Sequence, residues 1–510
     1  MAISPAQITI HPNDIIATIN PNIYGQFAEH LGRCFYDGVW VGEDSPISNT
    51  QGFRNDVLDA LRAMKVSVIR WPGGCFADDY HWQDGIGPRN ERPRRINIHW
   101  GEVIENNHVG THEFMNLCRL LNAEPYFCGN VGSGGVRELR DWVEYCNFPG
   151  DSTWAQMRAA NGSPAPFNVT YWGVGNENWG CGGHFTPEDY CGEFRRYASF
   201  MRGFGGNKLQ LIACGPAGND IDWTTRFFRK LRKDYWPFNN IHGYAAHYYC
   251  GTAGTATEYT EAQWYELIAK GLEMEPLVVQ QRAAMDTWDA QRRIGLIVDE
   301  WGTWHPVEEG TNPAFLYQQN TLRDTMVAAT TLDIFNRHAD KVVMSNIAQM
   351  VNVLQAMVLT EDEKMCITPT GHVYAMYALH QGGQAVRMTL TSDGTTVKMP
   401  DLRDMTSPRL TSRELSLPYV AGSASVKGKS LFLTLTNCHA TESIDAQVKL
   451  LAGAANGARA RVLSGEIHAR NTFDKPETIQ PQAHEVKANG ASLTVPLPPA
   501  SVVAVEVALS

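Results

Sequence analysis

Between about residue 22 and about residue 385, short stretches that are nearly all apolar alternate with longer stretches whose apolar positions recur every three to four residues. The short runs are Ile23–Glu29, Val66–Trp71, Glu124–Asn130, Val169–Asn176, Leu209–Cys214, Gly243–Tyr249, Ile294–Glu300 and Val342–Ala348. A continuous apolar run of this length fits a strand covered on both faces. Amphipathic helices are expected over Arg54–Lys65, Met115–Leu121, Val136–Cys146, Glu188–Phe204, Thr224–Leu231, Ala262–Trp288 and Leu322–Phe335. Eight strands alternating with helices predict an α/β fold of the (β/α)8 TIM-barrel type, with a doubly wound open sheet as the competing topology.

After residue 385 the texture changes to short strands separated by Gly, Asn, Asp, Ser and Pro: Ala385–Leu390, Thr396–Met399, Ser430–Thr436, Ala446–Leu451, Arg459–Leu463, Ser492–Leu497 and Val502–Val507. This predicts a C-terminal all-β sandwich, jelly-roll-like, over residues 386–510. The alternating stretch within residues 1–20 has no place in a barrel and is expected to join that sandwich, leaving 21–385 as the barrel.

Chemistry in a barrel gathers at the C-terminal ends of its strands. In Tyr171–Gly183 (YWGVGNENWGCGG) an apolar run breaks at Gly175 and delivers Asn176 and Glu177 into a Gly-rich turn. Thr186-Pro187-Glu188-Asp189 then reads as a helix start, with a Thr cap, Pro in the first turn and acids beside it. A second apolar run ends in Asp299-Glu300-Trp301-Gly302. The other strand ends carry Glu29-His30, Arg70-Trp71, Asn130, His247 with Tyr248 and Tyr249, and Gln349. A buried strand has no use for a terminal charge unless something binds it. Glu177 and Glu300 fall on the fourth and seventh strands, where they can face each other across the mouth, and the pair predicts glycoside hydrolysis by two carboxylates. Asn176 is placed to bond a sugar hydroxyl and Arg70 to hold the nucleophile ionised. Tyr249 is a donor to the nucleophile or ring oxygen, and Trp71, Trp100, Trp179, Trp301 and Trp304 offer flat faces to a sugar. No metal or cofactor is called for.

Composition narrows the partners. The 510 residues carry a net charge of −11 with the charges interspersed, which speaks against nucleic acid or an anionic membrane surface. No apolar run approaches the ~20 residues of a membrane span, and the first residues show no leader pattern. The 11 cysteines are scattered, several of them (Cys118, Cys128, Cys146, Cys214) inside apolar segments, so reduced thiols in a cytoplasmic protein are expected.

Ile23–Arg33 (IYGQFAEHLGR), Ile69–Asp79 (IRWPGGCFADD), Trp172–Gly180 (WGVGNENWG), Val298–His305 (VDEWGTWH) and Asn346–Asn352 (NIAQMVN) together resemble glycoside hydrolase family 51 α-L-arabinofuranosidases, in the same order and with the same C-terminal sandwich. The resemblance implies a retaining, exo-acting enzyme that releases terminal arabinofuranose from arabino-oligosaccharides, arabinan or arabinoxylan fragments, with Glu177 as acid/base and Glu300 as nucleophile. It implies sugar-binding roles for Glu29, Arg70, Asn176, Tyr249 and Gln349, with Gln355 as the other candidate glutamine. Cys75 falls where some members carry Asn, and Trp100 and Trp304 match positions that shape the leaving-group side. His247 is expected to touch the site. The family implies an intracellular homohexamer without a required metal. The same fold acting on a β-xyloside or β-glucan, or a barrel that only binds carbohydrate, are the rival readings.

Three weaker signals have plain alternatives. Cys181 and His184 have a metal-like spacing but no second pair. Gly129–Gly135 (GNVGSGG) lacks the order of a phosphate loop and reads as a loop giving a sugar close backbone approach. The basic Arg89–Arg95 segment (RNERPRR) reads as a solvated loop or subunit contact.

Overall fold

In the computed structural model, residues 3–232, 240–251, 253–399 and 413–510 are described; residues 400–412, inside the expected sandwich, lie outside them. The strands are β1 (Ala6–Thr18), β2 (Gly25–Phe27), β3 (Val68–Trp71), β4 (Glu124–Gly129), β5 (Tyr171–Val174), β6 (Gln210–Ala213), β7 (Gly243–Cys250), β8 (Gly295–Thr303) and β9 (Val342–Ala348). β2 to β9 form a closed parallel barrel, each strand paired with its neighbour in sequence and β9 closing on β2. Closure excludes the open doubly wound sheet.

The barrel interior has two levels. Its lower half is an apolar plug of Val68, Tyr126, Ile212, Ala245, Ile297 and Met344, one residue from each of six strands. Two residues further along, the same inward-facing register presents Arg70 on β3, Cys128 on β4 and His247 on β7. The plug excludes water from below, so the polar groups above it meet in a space open only at the strand C-termini.

β8 departs from regular pairing in one place that matters. Ala246 pairs with Val298 but His247 pairs with Glu300, so Asp299 is an extra residue on β8. Such a bulge re-aims side chains locally. Here it brings both Asp299 and Glu300, neighbours that a regular strand would send to opposite faces, to the same guanidinium, that of Arg70.

All seven expected helices form, with two informative differences. Ala262–Trp288 is two helices, Glu261–Leu272 and Met274–Asp286, because Pro276 has no N–H to donate and is tolerated only in a first turn. The helix expected over Glu188–Phe204 runs Pro187–Ala198, capped by the Thr186 side chain accepting from Asp189 N. Two further helices, Thr153–Ala160 and Pro369–Tyr377, are not marked by apolar periodicity.

Among the described residues the C-terminal region holds a ten-stranded sheet, in which β1 lies between Gln384–Thr391 and Ile444–Leu450, beside a separate hairpin of Gly394–Lys398 and Glu414–Pro418. The sheet folds over so that Ser492–Leu497 packs against Ser430–Asn437 and Ser501–Leu509, enclosing a second apolar core. The strand Val420–Lys427 has no large apolar alternation. Its Ser423, on the face opposite Ala424 of the sandwich core, is small because helix Leu322–Arg337 packs directly on it. Buried Asp333 of that helix accepts hydrogen bonds from Ser423 and Thr434 of the sheet and from Tyr377, which ties the sandwich to the barrel.

Candidate active site

Glu300 lies buried near the end of β8 with both oxygens engaged. Oε1 accepts from Arg70 Nη1 at 2.7 Å and Oε2 from Tyr249 Oη at 2.8 Å. Burial works against its ionised form, but the nearby His247 and Arg70 charges and these two hydrogen bonds outweigh it and hold the carboxyl below its usual value. Arg70 is itself fixed, donating from Nη2 to Asn176 Oδ1 at 2.6 Å and lying over the Phe27 ring at 4.8 Å.

Glu177 follows β5 and sits at φ 40°, a left-handed conformation uncommon for a residue with a side chain. The turn around it is held from several sides. Asn176 N donates to Asp78 Oδ2 at 3.2 Å, Gly180 N to Glu177 O at 2.7 Å, and Phe185 N to Asn178 O at 2.7 Å. At Gly182 a Cβ would come within 2.0 Å of Asn176 O, so this close approach admits only glycine. The carboxylate points across the mouth, with Oε1 at 2.9 Å from His247 Nδ1.

His247 stands between the acids, its Nδ1 also 3.6 Å from Glu300 Oε2. Burial lowers its basicity, but the Glu300 charge and the Glu177 bond more than compensate and raise its pKa above the ordinary value. One oxygen of Glu177, one of Glu300 and a ring nitrogen of His247 all lie within 4.8 Å of one another.

Glu29, after β2, is buried opposite. It accepts from Phe76 N (3.0 Å), Trp100 Nε1 (3.0 Å) and Gln349 Nε2 (3.1 Å). Burial and the Glu300 charge prevail over these donors and push its carboxyl up to about 8, so Glu29 is mostly protonated at neutral pH. Asp78 behaves alike, pushed up to about 7 by burial although Val131, Gly132 and Asn176 all donate to it. Five buried or half-buried acids therefore surround one arginine and one histidine. The charge settles on Glu300, where the donors are strongest, and Glu29, Asp78 and Asp299 are pushed towards the neutral form.

Of the expected aromatic faces, Trp100 and Trp304 are accessible at the mouth, and Trp304 meets Tyr249 edge to face at 5.1 Å. Trp71 and Trp301 are not available to a sugar. Both are fully buried, with Trp71 donating to His30 Nε2 and Trp301 to Ser345. Trp179 is half-buried against the core. Gln355 is consumed by Thr303 N, Asp324 O and Thr370, whereas Gln349 reaches Glu29. Asn130 folds its own loop by accepting from Ser133 N and Gly134 N, and together with Asp78 it occupies the N–H groups that a ligand would need there. Arg92 is buried against Glu113, and Arg89 and Arg95 pair with Glu43 and Asp84, so that segment is held by internal ion pairs. A cavity of about 710 Å³ opens at the other end of the barrel, where Ser67, Glu124 and Tyr171 begin their strands; no acid pair converges there.

Residues 60–265 match the family described as α-L-arabinofuranosidase 1 domain, and residues 299–501 match the α-L-arabinofuranosidase C-terminal domain. The chain is 42% identical over 509 residues to an intracellular exo-α-L-arabinofuranosidase of Bacteroides ovatus, covering 98% of this chain and 95% of that protein. The family 51 arabinofuranosidase structure from Xanthomonas axonopodis pv. citri superposes with a TM-score of 0.93 at 40% identity, covering 99% of this chain and 100% of that one. This chain belongs to the family 51 α-L-arabinofuranosidases. A Thermotoga maritima α-L-arabinofuranosidase in complex with arabinose has the same fold, with a TM-score of 0.87 and 29% identity over the full length of both chains.

The structure also corrects the expectation of reduced thiols. Cys75 and Cys181 are joined in a disulfide, although the scattered spacing pointed to reduced thiols throughout. They are 106 residues apart, and only the barrel brings their loops together. The remaining nine cysteines are free and buried. His184 is exposed and takes no part in a cluster with Cys181. Two acids went unremarked in the sequence: Asp78, which supports Asn176, and Asp299, which accepts from Tyr126 at 2.8 Å and lies 3.5 Å from Arg70 Nε. Their only signal was their place inside the segments Ile69–Asp79 and Val298–His305. Among the described residues no helix is long and apolar enough to cross a membrane.

Proposed function

We propose that the enzyme removes terminal non-reducing α-L-arabinofuranosyl groups with retention of configuration, Glu300 acting as nucleophile and Glu177 as acid, then base. The supporting observation is the approach of a Glu177 and a Glu300 oxygen to within 4.8 Å. Retaining glycosidases hold their carboxyl groups about 5–5.5 Å apart, whereas inverting ones need roughly 6.5–9.5 Å to seat a water.

Glu300 suits attack because Arg70 and Tyr249 keep it ionised and aimed. As it bonds to the anomeric carbon, Glu177 protonates the departing oxygen. Glu177, left as a carboxylate once it has protonated the departing oxygen, then takes a proton from a water that attacks the anomeric carbon and displaces Glu300. Asn176, Glu29, Gln349 and Cys75 line the sugar side of the pocket in this reading, and Trp100 and Trp304 the leaving-group side. His247 holds Glu177 in position through its 2.9 Å contact. The substrate assignment rests on family membership, and the name of the Bacteroides ovatus relative supports intracellular, exo-acting release of arabinofuranose. The same proposal includes a homo-oligomer, hexameric by the family resemblance, which sedimentation of the purified enzyme tests.

The decisive experiment traps the intermediate. A slow arabinofuranosyl substrate followed by peptide mass spectrometry is expected to label Glu300, and NMR of the first-formed arabinose is expected to show the α-anomer. A label on another residue or the β-anomer overturns the assignment. Aryl xyloside and glucan substrates, run beside aryl arabinofuranoside, test the sugar preference.

A further inference from the structure

Cys75 and Cys181 are the two cysteines of the chain that are not buried, and both flank the same carboxylate oxygen. Their sulfurs lie 3.8 and 3.6 Å from Glu177 Oε2. The two sulfurs and a Glu177 oxygen fall within 4.8 Å of one another. We propose that reduction of this disulfide turns the pocket wall into a binding site for a thiophilic divalent cation of the zinc class, held by Cys75 Sγ, Cys181 Sγ and a Glu177 oxygen.

The geometry is close to what such an ion requires. With Zn–S about 2.3 Å and Zn–O about 2.1 Å at tetrahedral angles, sulfur and oxygen ligands stand about 3.6 Å apart and two sulfurs about 3.8 Å apart. The sulfur–oxygen spacings already match. Only the sulfurs must part, which side-chain rotation supplies at a Cα–Cα distance of 5.7 Å. The fourth position faces the pocket and water. His247 Nδ1, on the other Glu177 oxygen, keeps the carboxylate aimed. Two thiolates favour zinc-class ions over magnesium or calcium.

The chemistry balances with a dithiol as reductant. The dithiol passes two electrons and two protons to the Cys75–Cys181 bond and leaves as its own disulfide. The cation then displaces the two thiol protons to solvent. An ion bound there occupies the proposed proton donor, so reduction would make the enzyme sensitive to zinc. In a reducing compartment, cellular dithiols would supply the reduced form.

The test compares oxidised enzyme with enzyme reduced by an immobilised dithiol. Cobalt or cadmium titration followed by thiolate-to-metal charge-transfer absorption is expected to show a single ion per chain in the reduced form and none in the oxidised form. Zinc is expected to lower turnover of the reduced form by about 10²–10⁴-fold, the scale of losing a general acid, with recovery on adding a chelator and no effect on the oxidised form. Cys75→Ser and Cys181→Ser, each measured against its own zinc-free rate, are expected to lose that sensitivity. Absence of the absorption band, equal inhibition of both redox forms, or retained sensitivity in both variants overturns the proposal. The absorption reads binding without substrate, so it stands or falls separately from the glycosidase assignment.

Discussion

Arg70 and Glu300 form an ion pair inside the barrel, Nη1 to Oε1 at 2.7 Å, between strands β3 and β8. Both side chains are almost fully buried, so neither charge has water to fall back on. The pair persists because each partner has further support: Arg70 from Asn176 Oδ1, and Glu300 from Tyr249.

Arg70→Lys keeps a charge but loses the planar fork that reaches Glu300 and Asn176 together. We expect kcat/KM to fall by about 10²–10³-fold, the scale of losing a preorganised electrostatic contact. Arg70 depresses the Glu300 pKa, so the acidic limb of the kcat/KM profile should move to higher pH. An unmoved limb would show that Arg70 does not set the acidity of Glu300.

Glu177→Ala removes the proposed proton donor and leaves room for a small anion. Aryl arabinofuranosides with good leaving groups should lose far less kcat than natural linkages, because they need no protonation. Azide should restore turnover. Equal losses with no azide effect would assign the proton to another group.

Burial and the Glu300 charge push the Glu29 carboxyl up to about 8. It is neutral below that value and adds a second negative charge beside Glu300 above it. The parent kcat/KM profile should therefore carry an alkaline limb near pH 8. In Glu29→Gln, which cannot ionise, that limb should change position or steepness while measurable turnover remains.

Asp78, pushed up to about 7, binds more protons folded than unfolded between about pH 4 and pH 7. Its contribution to stability is full below the unfolded value and declines as pH rises through 7. Thermal midpoints should fall over this range, and less steeply in Asp78→Asn. That variant should also be about 1–3 kcal/mol less stable at pH 5, since an amide turns a donor towards N–H groups that need an acceptor.

Gln349 and Gln355 should separate cleanly. Gln349→Ala leaves the barrel intact and should raise KM. Gln355→Ala strands Thr303 N and Asp324 O in the interior and should lower the melting temperature, at a cost of about 1–3 kcal/mol.

Much of the molecule was legible in the chain itself. Eight apolar runs separated by amphipathic stretches specify a barrel because each strand is covered on both faces and each helix on one. Glu29, Arg70, Glu177, His247, Glu300 and Gln349 could be named in advance because each is a polar residue ending an apolar run. What escaped depends on contacts between distant segments. The β8 bulge is a matter of register, and no pattern in Val298-Asp299-Glu300 says that both acids turn inward. In strand Val420–Lys427 the helix above holds Ser423 small on one face while Ala424 faces the sandwich core, so its own composition hides it. Trp71 and Trp301 look like Trp100 in sequence, but the helices outside the barrel claim them for the core. The Cys75–Cys181 bond joins loops after β3 and β5 that meet only once the ring has closed. Local pattern determined the elements and the residues at their ends; the closed barrel decided which of those ends share a charge, a proton or a bond.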